Sequence, residues 1–137
     1  EETNQFCDFT EAVLEIVAKS NIKHGSVTLF TPHTTTAVVI NESETGYIND
    51  FKKKIEELVP SDSYYEHDDW DLRTENMQED ENVNGRSHVR GTIIGSTGVT
   101  LPIINSELII GRWQRLFFVE LDCARSRRLF VQTQDLN

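Results

Sequence analysis

VTLPII at residues 99–104 opens a block of four short β-type runs, which continues with ELII (107–110), LFFVELD (116–122) and RRLFVQTQ (127–134). The runs are rich in β-branched and aromatic residues and are separated by short polar turns, which is typical of antiparallel strands. Tight turns are predicted at Asn105-Ser106 and around Ala124. The C-terminal third of the chain therefore predicts a mostly antiparallel sheet.

Upstream of this block, strand-type and helix-type patterns do not alternate regularly. Residues 26–31 and 35–40 predict two further strands, and residues 45–58 predict an amphipathic helix that Pro60 ends. The residues expected to be buried on this helix are Ile48, Phe51, Ile55 and Leu58. Elements grouped in this way favour an α+β fold over a parallel α/β fold.

Two more helices complete the prediction. Asp8 and Glu11 have the pattern of a helix N-terminus, in which the Asp8 side chain caps the helix and the Glu11 side chain hydrogen-bonds back to the backbone of the cap residue. Residues 84–94 are ambiguous, with a short helix preferred, whereas residues 61–83 lack apolar periodicity and predict a long loop. We expect one α+β domain with two or three helices.

Composition and charge narrow the classes of partner. The 137 residues suffice for one ordinary domain, and no apolar run approaches the length of a membrane span. The net charge is −10, and residues 61–82 hold nine acids and one base. We therefore expect no membrane or nucleic-acid partner, a cytoplasmic location, and free thiols at Cys7 and Cys123.

Three of the four histidines lie in polar segments that interrupt the apolar patterns: His33, His67 and His88. Three imidazoles from separate segments suit a zinc site with one open position. Because no fixed ligand spacing accompanies them, the pattern alone favours the alternative that each histidine makes a structural hydrogen bond or is solvated.

Carboxylates and a polar turn offer further candidates. Glu120 shares one strand face with Asp122 and is expected either to support a metal or to pair with Arg112, Arg115 or Arg127. Glu42 follows the 35–40 strand and is either a site carboxylate or a helix cap. The turn Gly111-Arg112-Trp113-Gln114 suits a planar or anionic ligand, although a packed turn has the same composition.

Short motifs occur in a fixed order through most of the chain. They are Asp8-Phe9-Thr10, Thr31-Pro32-His33-Thr34-Thr35, Ile40-Asn41-Glu42, Leu58-Val59-Pro60, Tyr65 with His67-Asp68, Asn84 with Ser87-His88, Gly95, Pro102, Gly111-x-Trp113-Gln114, Glu120-Leu121-Asp122 and the strand from Arg125 to Val131. Together they resemble the YjbQ-like family of small uncharacterised proteins, often labelled secondary thiamine-phosphate synthase. The resemblance covers about residues 8–133, and we expect residues 1–137 to form a single domain of this type.

The resemblance implies a β-sandwich-like core, a homotrimer, and a cleft near a subunit boundary. It also implies an enzyme that couples a pyrimidine-methyl diphosphate with a thiazole phosphate and releases pyrophosphate. Such a reaction needs a divalent cation or arginines at the departing diphosphate. The alternatives are a metal-dependent hydrolase of a phosphorylated metabolite and a non-catalytic trimer that binds a metal or metabolite.

Site residues follow from the same resemblance. We expect His33, His67 and His88 to act as catalytic residues that contact a metal, zinc or magnesium, or the phosphate of a phosphorylated small-molecule substrate. Glu42 and Glu120 are expected to support them. The expected ligand or phosphate contacts are Arg112, Arg90, Asn84, Trp113 and Gln114.

Overall fold

Three helices and seven strands are formed by residues 4–136. The computed structural model describes residues 4–136. The helices are α1 (Thr10–Ser20), α2 (Thr45–Leu58) and α3 (Gly85–Ile94), and a 3-10 turn covers Glu66–Asp68. The strands are β1 (Gln5–Asp8), β2 (His24–Phe30), β3 (Thr36–Asn41), β4 (Gly98–Ile104), β5 (Glu107–Leu108), β6 (Arg115–Glu120) and β7 (Phe130–Asp135).

The strands form two antiparallel sheets. One sheet has three strands in the order β1-β6-β3, and the other has four in the order β5-β4-β2-β7. The α+β fold and its antiparallel sheets are thereby confirmed. Asn105 and Ser106, with φ of 53° and 66°, form the predicted tight turn between β4 and β5.

Consecutive strands change sheets at every step except from β4 to β5, and two of these crossings bear on the predictions. β2 and β3 belong to different sheets, and so do β6 and β7, so residues 31–35 and 121–129 cross between the sheets. The turn expected around Ala124 therefore does not join neighbouring strands. Alternation along a strand predicts which face is buried, but it carries no information about which sheet supplies the partner.

Hydrophobic packing occurs on both faces of the three-stranded sheet. Val38 and Leu116 pack with α1 and the four-stranded sheet, whereas Phe117, Val119 and Leu121 face a second cluster. Phe6 joins that second cluster and meets Phe51 of α2 at a ring distance of 5.1 Å. The sheet is thus the central layer, and α2 covers its far side.

The helix starts differ in part from the predictions. The Asp8 carboxylate does accept the Thr10 N–H, at 3.0 Å, but Asp8 is the last residue of β1 and Glu11 pairs with Arg115 instead of reaching back. The bounds of α2 are as predicted, although its cap is Glu44, not Glu42. Leu58, which was predicted to be buried, is exposed, whereas Ile55 and Val59 beside it are buried.

Arg90 of α3 occupies the interior. Its guanidinium is fully buried, donates two hydrogen bonds to the Val59 carbonyl at 2.6 and 3.1 Å, and pairs with Glu56. The Ser61 N–H and hydroxyl, together with Arg90, outweigh partial burial and lower the pKa of Glu56 to about 2. Arg90 therefore fastens the end of α2 to α3.

We predict that Arg90→Met lowers the free energy of unfolding by about 3 kcal/mol, because the Val59 carbonyl stays buried without its donor. Urea denaturation measures this change. Arg112→Met, at an exposed arginine, is the matched control and should stay within about 0.5 kcal/mol of the wild type. Equal losses in the two variants would contradict the structural role of Arg90.

Candidate functional site

The start of α3 is held by the carboxylate of Asp68 in the 3-10 turn. Its oxygens accept the backbone N–H groups of Asn84, at 2.9 Å, and Gly85, at 3.0 Å. A Cβ at Gly85 would lie 2.7 Å from the Tyr65 Cβ and 3.1 Å from the His67 Cβ. Only glycine therefore lets the turn approach the helix so closely.

This close approach creates a histidine pair, His67 and His88. Their ring centroids lie 4.5 Å apart at an angle of 36°. His67 Nδ1 lies 3.1 Å from an Asp68 oxygen, and its Nε2 lies 3.6 Å from an oxygen of Glu81. The structure thus brings together two of the three histidines predicted from the sequence.

Arg73 holds the acidic loop against the histidine pair. Its guanidinium donates to the Glu81 carboxylate at 2.7 Å and to the His67 carbonyl at 3.1 Å. It also donates to the carbonyls of Glu75 and Asn76. Because Arg73 is the one base among the nine acids of residues 61–82, this loop is organised around a single cation.

His88 favours the neutral form. Burial lowers its pKa, and the neighbouring His67 lowers it further, while Asp122 and Glu81 act in the opposite direction. A neutral imidazole at neutral pH can accept a proton from a bound molecule and return it.

His88 lines a cavity of about 410 Å³, most of whose lining residues are polar. It is lined by Thr34, Thr36, His88, Gly91, Thr92, Gly95, Ser96 and Thr97. The helical members recur every three or four residues and hence share one face of α3. This His88 cavity combines one titratable group with several hydroxyls and has the size of a small-molecule site.

Asn84 adds a buried acceptor on the same helical stripe, one turn before His88. Its side-chain nitrogen donates to Asp122 at 3.2 Å, and its side-chain oxygen Oδ1 is buried without a hydrogen-bond partner among residues 4–136. An unpartnered buried oxygen is costly and favours a ligand or water that donates to it.

His33 does not join the histidine pair. Its Nε2 accepts the backbone N–H of Arg128 at 2.9 Å and hence carries no proton. Thr35 likewise accepts from Arg127, whereas Thr34 and Thr36 line the His88 cavity. Within residues 4–136, no three His, Cys, Asp or Glu side chains converge as a metal site would require. The described donor set does not fit a three-histidine centre, and we derive no step through a metal.

The two candidate glutamates lie in unlike surroundings. Glu120 is buried and accepts two hydrogen bonds from Arg127, at 2.6 and 2.7 Å, so the predicted pairing with Arg127 is confirmed. Arg115, another predicted partner, binds Asp8 instead. Glu42 is exposed beyond the end of β3.

The candidate ligand-binding residues divide between interior and surface. Arg90 is occupied inside the core, as described above. Arg112 lies 4.6 Å from the exposed Trp113 ring, and the Gln114 side chain accepts the Gly111 N–H at 2.6 Å. These three side chains belong to an exposed turn and do not line the His88 cavity. Of the five predicted ligand-binding residues, Asn84 is the one that lies beside the histidine pair.

Sequence reasoning missed several residues of the site: Asp68, Arg73, Glu81 and the hydroxyls of the cavity. The lone cation of the acidic loop was a usable signal for Arg73, because it must meet several carboxylates. The cavity hydroxyls gave no signal, since threonine in a β-type segment is common for reasons of propensity alone.

Two packed antiparallel sheets with three helices and a histidine-containing cavity define a class of small α+β proteins. The chain belongs to the UPF0047 protein YjbQ-like family, whose family model matches residues 1–135. Among the described residues, no helix is long and apolar enough to cross a membrane.

Relatives and solved structures agree with this assignment. A UPF0047 protein of Archaeoglobus fulgidus is 36% identical over 128 residues, which cover 93% of this chain and 90% of that protein. A hypothetical protein from Aeropyrum pernix K1 has a TM-score of 0.83 at 30% identity, covering 98% of this chain and 92% of its own. A YbjQ-like protein of unknown function from Sulfolobus solfataricus P2 has a TM-score of 0.80 at 32% identity, covering 96% and 86%.

We predict that His88 makes the stability of the protein depend on pH. Its folded-state pKa lies below the ordinary value of histidine, so the unfolded chain binds the proton first on acidification. The contribution of neutral His88 to the free energy of unfolding is present above the unfolded-state pKa and is lost as the pH falls from about 7.5 to 5.5. Urea midpoints across this range should fall, and His88→Gln should reduce the slope.

His24→Gln is the matched control, because His24 is exposed in β2. His33 keeps part of the slope in the His88 variant, since burial and three arginines also lower its pKa. Identical slopes for wild type and His88→Gln would show that His88 is not held neutral by the fold.

Proposed function

We propose that the chain is a small-molecule enzyme whose substrate carries a phosphate or diphosphate group and whose proton-transfer residue is His88. The observation that carries the proposal is the lowered pKa of His88 on the wall of a polar cavity of about 410 Å³. A neutral imidazole whose pKa lies near or below neutrality matches the requirement for general acid–base catalysis.

The surroundings of His88 support this role. His67 stacks on it, and Asp68 and Glu81 lie beside the nitrogens of His67. Positive charge that forms on the pair during proton transfer thus meets two carboxylates. The hydroxyls of Thr34, Thr36 and Thr92 in the cavity lining offer hydrogen-bonding groups to a substrate. Together these groups can orient a polar substrate while His88 moves its proton.

The particular reaction comes from the family resemblance. We propose coupling of a pyrimidine-methyl diphosphate with a thiazole phosphate: the thiazole nitrogen attacks the methylene carbon, the carbon–oxygen bond to the diphosphate breaks, and His88, after taking a proton from water, passes it to the departing diphosphate oxygen. The lining of the His88 cavity carries no lysine or arginine. The departing diphosphate therefore needs charge from elsewhere, and Zn²⁺ or Mg²⁺ remains part of the proposal as an ion added to the assay. A cytoplasmic location fits such phosphorylated substrates.

We predict that the purified protein forms thiamine phosphate from the two substrates in the presence of Mg²⁺ or Zn²⁺, as measured by mass spectrometry. His88→Gln should lower the rate by about 100-fold or more, because it removes the proton-transfer group. His24→Gln should keep the wild-type rate.

A panel of phosphate monoesters run beside this assay separates the other functions. Hydrolysis that depends on His88 would show that the protein is a hydrolase and not a coupling enzyme. Binding of a phosphorylated metabolite or a metal without turnover would show that the protein has a binding function and no catalytic one. No turnover and no binding, or equal rates in His88→Gln and wild type, would reject the His88 site.

We also propose assembly into a homotrimer, which the family resemblance implies. The outward face of β2 and its neighbours supports self-association, because it carries threonine, serine, glutamine and apolar side chains in a chain of net charge −10. Phe30 and Phe130 are paired there in register and are 45% and 50% exposed. Uncharged, partly aromatic patches are typical of protein interfaces.

Native mass spectrometry should give a mass of three chains of 15.7 kDa. Thr100→Glu puts a charge on this face and should shift the protein toward monomer. Ala18→Glu, on the exposed side of α1, is the control and should remain trimeric. A monomeric wild type would reject the assembly, and an unaltered Thr100→Glu trimer would reject this face as its interface.

A further inference from the structure

A groove lined by arginines lies beside the face of the three-stranded sheet that carries Val38 and Leu116, away from the histidine pair. Two cavities of about 280 and 160 Å³ share Cys7 and Phe118 of the sheet and Arg127 of the 121–129 segment. Arg125 lines the larger cavity, and Arg128 lines the smaller one. We call these five residues the arginine groove.

The charges of the groove do not cancel. Arg127 is paired with Glu120 and Arg125 with Asp122. Arg128 makes no ion pair with any residue between positions 4 and 136, and its guanidinium only approaches the Phe130 ring at 6.0 Å. Three guanidinium groups thus face two carboxylates, which leaves one positive charge in a chain whose net charge is −10.

The charges of the groove also act on His33, which accepts a hydrogen bond from the Arg128 backbone. Burial lowers the pKa of His33, and the charges of Arg127 and Arg128 lower it further, whereas Glu120 acts in the opposite direction. The two carboxylates in this region therefore leave part of the arginine charge uncompensated.

The arginines keep donors available. Arg127 directs Nε and Nη2 to Glu120 and Thr35, so its Nη1 has no hydrogen-bond partner in the described part of the chain. Phe9 and Leu129 line the smaller cavity beside Arg128. Guanidinium groups match the geometry of phosphate oxygens, and an apolar wall suits a hydrocarbon body attached to the phosphate.

We propose that the arginine groove binds an organic phosphate, with Arg127 and Arg128 contacting the phosphate oxygens and Phe9 and Phe118 contacting the apolar body. This site is distinct from the His88 cavity. His33 and Thr35 contact the 127–128 segment, while the intervening Thr34 and the following Thr36 line the His88 cavity. The proposal therefore does not require that the proposed enzymatic reaction be correct.

Isothermal titration calorimetry with phenyl phosphate tests the proposal on the full chain at low ionic strength. The wild type and His88→Gln should bind with the same affinity. Arg128→Gln should weaken binding by about tenfold or more, because it removes a charge-assisted contact without freeing a paired carboxylate. Arg112→Gln removes an arginine from an exposed turn and should leave the affinity unchanged. Inorganic phosphate should bind more weakly than phenyl phosphate.

Cys7 supplies a second readout, because its thiol lines both cavities. Phenyl phosphate should slow alkylation of Cys7 in the wild type, as followed by peptide mass spectrometry, and should have no such effect in Arg128→Gln. The proposal is overturned if the wild type does not bind, if Arg128→Gln binds like the wild type, or if Arg112→Gln is weakened equally. It is also overturned if His88→Gln abolishes binding or if bound ligand leaves Cys7 unprotected.

Discussion

The carboxylate of Asp68 is the interaction on which the candidate site depends. It joins a loop turn to the first N–H groups of α3 across 16 residues of sequence. Burial alone would raise the pKa of Asp68, but hydrogen bonds from His67, Gly85 and Asn84 outweigh it and lower the pKa. The charge at this position also faces the positive end of the helix dipole. Because Asp68 stays ionised, His67 is held against His88.

Arginines connect separate segments elsewhere in this acidic chain. Arg90 fastens α2 to α3 from inside the core, and Arg73 gathers the carbonyls and the Glu81 carboxylate of the acidic loop. Arg127 ties the crossing after β6 back to Glu120. An excess of carboxylates leaves few cations to share, so most arginines in the described residues are already paired. Arg86, Arg112 and Arg128 form no ion pair with residues 4–136, and of these three Arg128 is the one that lines a cavity together with a second arginine.

Much of the fold could be predicted because hydrophobic periodicity and turn chemistry act locally. The bounds of α2, the helix at α3 and the turn at Asn105-Ser106 follow from patterns within a few residues. The crossing of β6 into β7 was not predictable, because strand partners depend on packing between distant residues. Leu58 fits the apolar pattern of α2 and is nevertheless exposed, because its burial also depends on which distant residues pack against the helix.

The candidate site was predictable in residue type but not in grouping. His67 and His88 meet only because Asp68 and Gly85 bring the loop onto α3, and neither contact has a sequence pattern of its own. Arg90 shows the converse difficulty, since an arginine at a helical position is usually exposed. Its burial becomes intelligible only when the Val59 carbonyl at the end of α2 is found beside it.

The segment of residues 33–36 determines how the two polar regions of the molecule relate. His33 and Thr35 contact Arg128 and Arg127, while Thr34 and Thr36 line the cavity of His88, so one short segment forms a wall of both. A substitution at His33 removes an acceptor from the Arg128 backbone and can displace Thr34 at the same time. Loss of function in such a variant would therefore not assign His33 to either region. His88 and Arg128 each belong to one region alone, so their side chains, and not that of His33, separate proton transfer from anion binding.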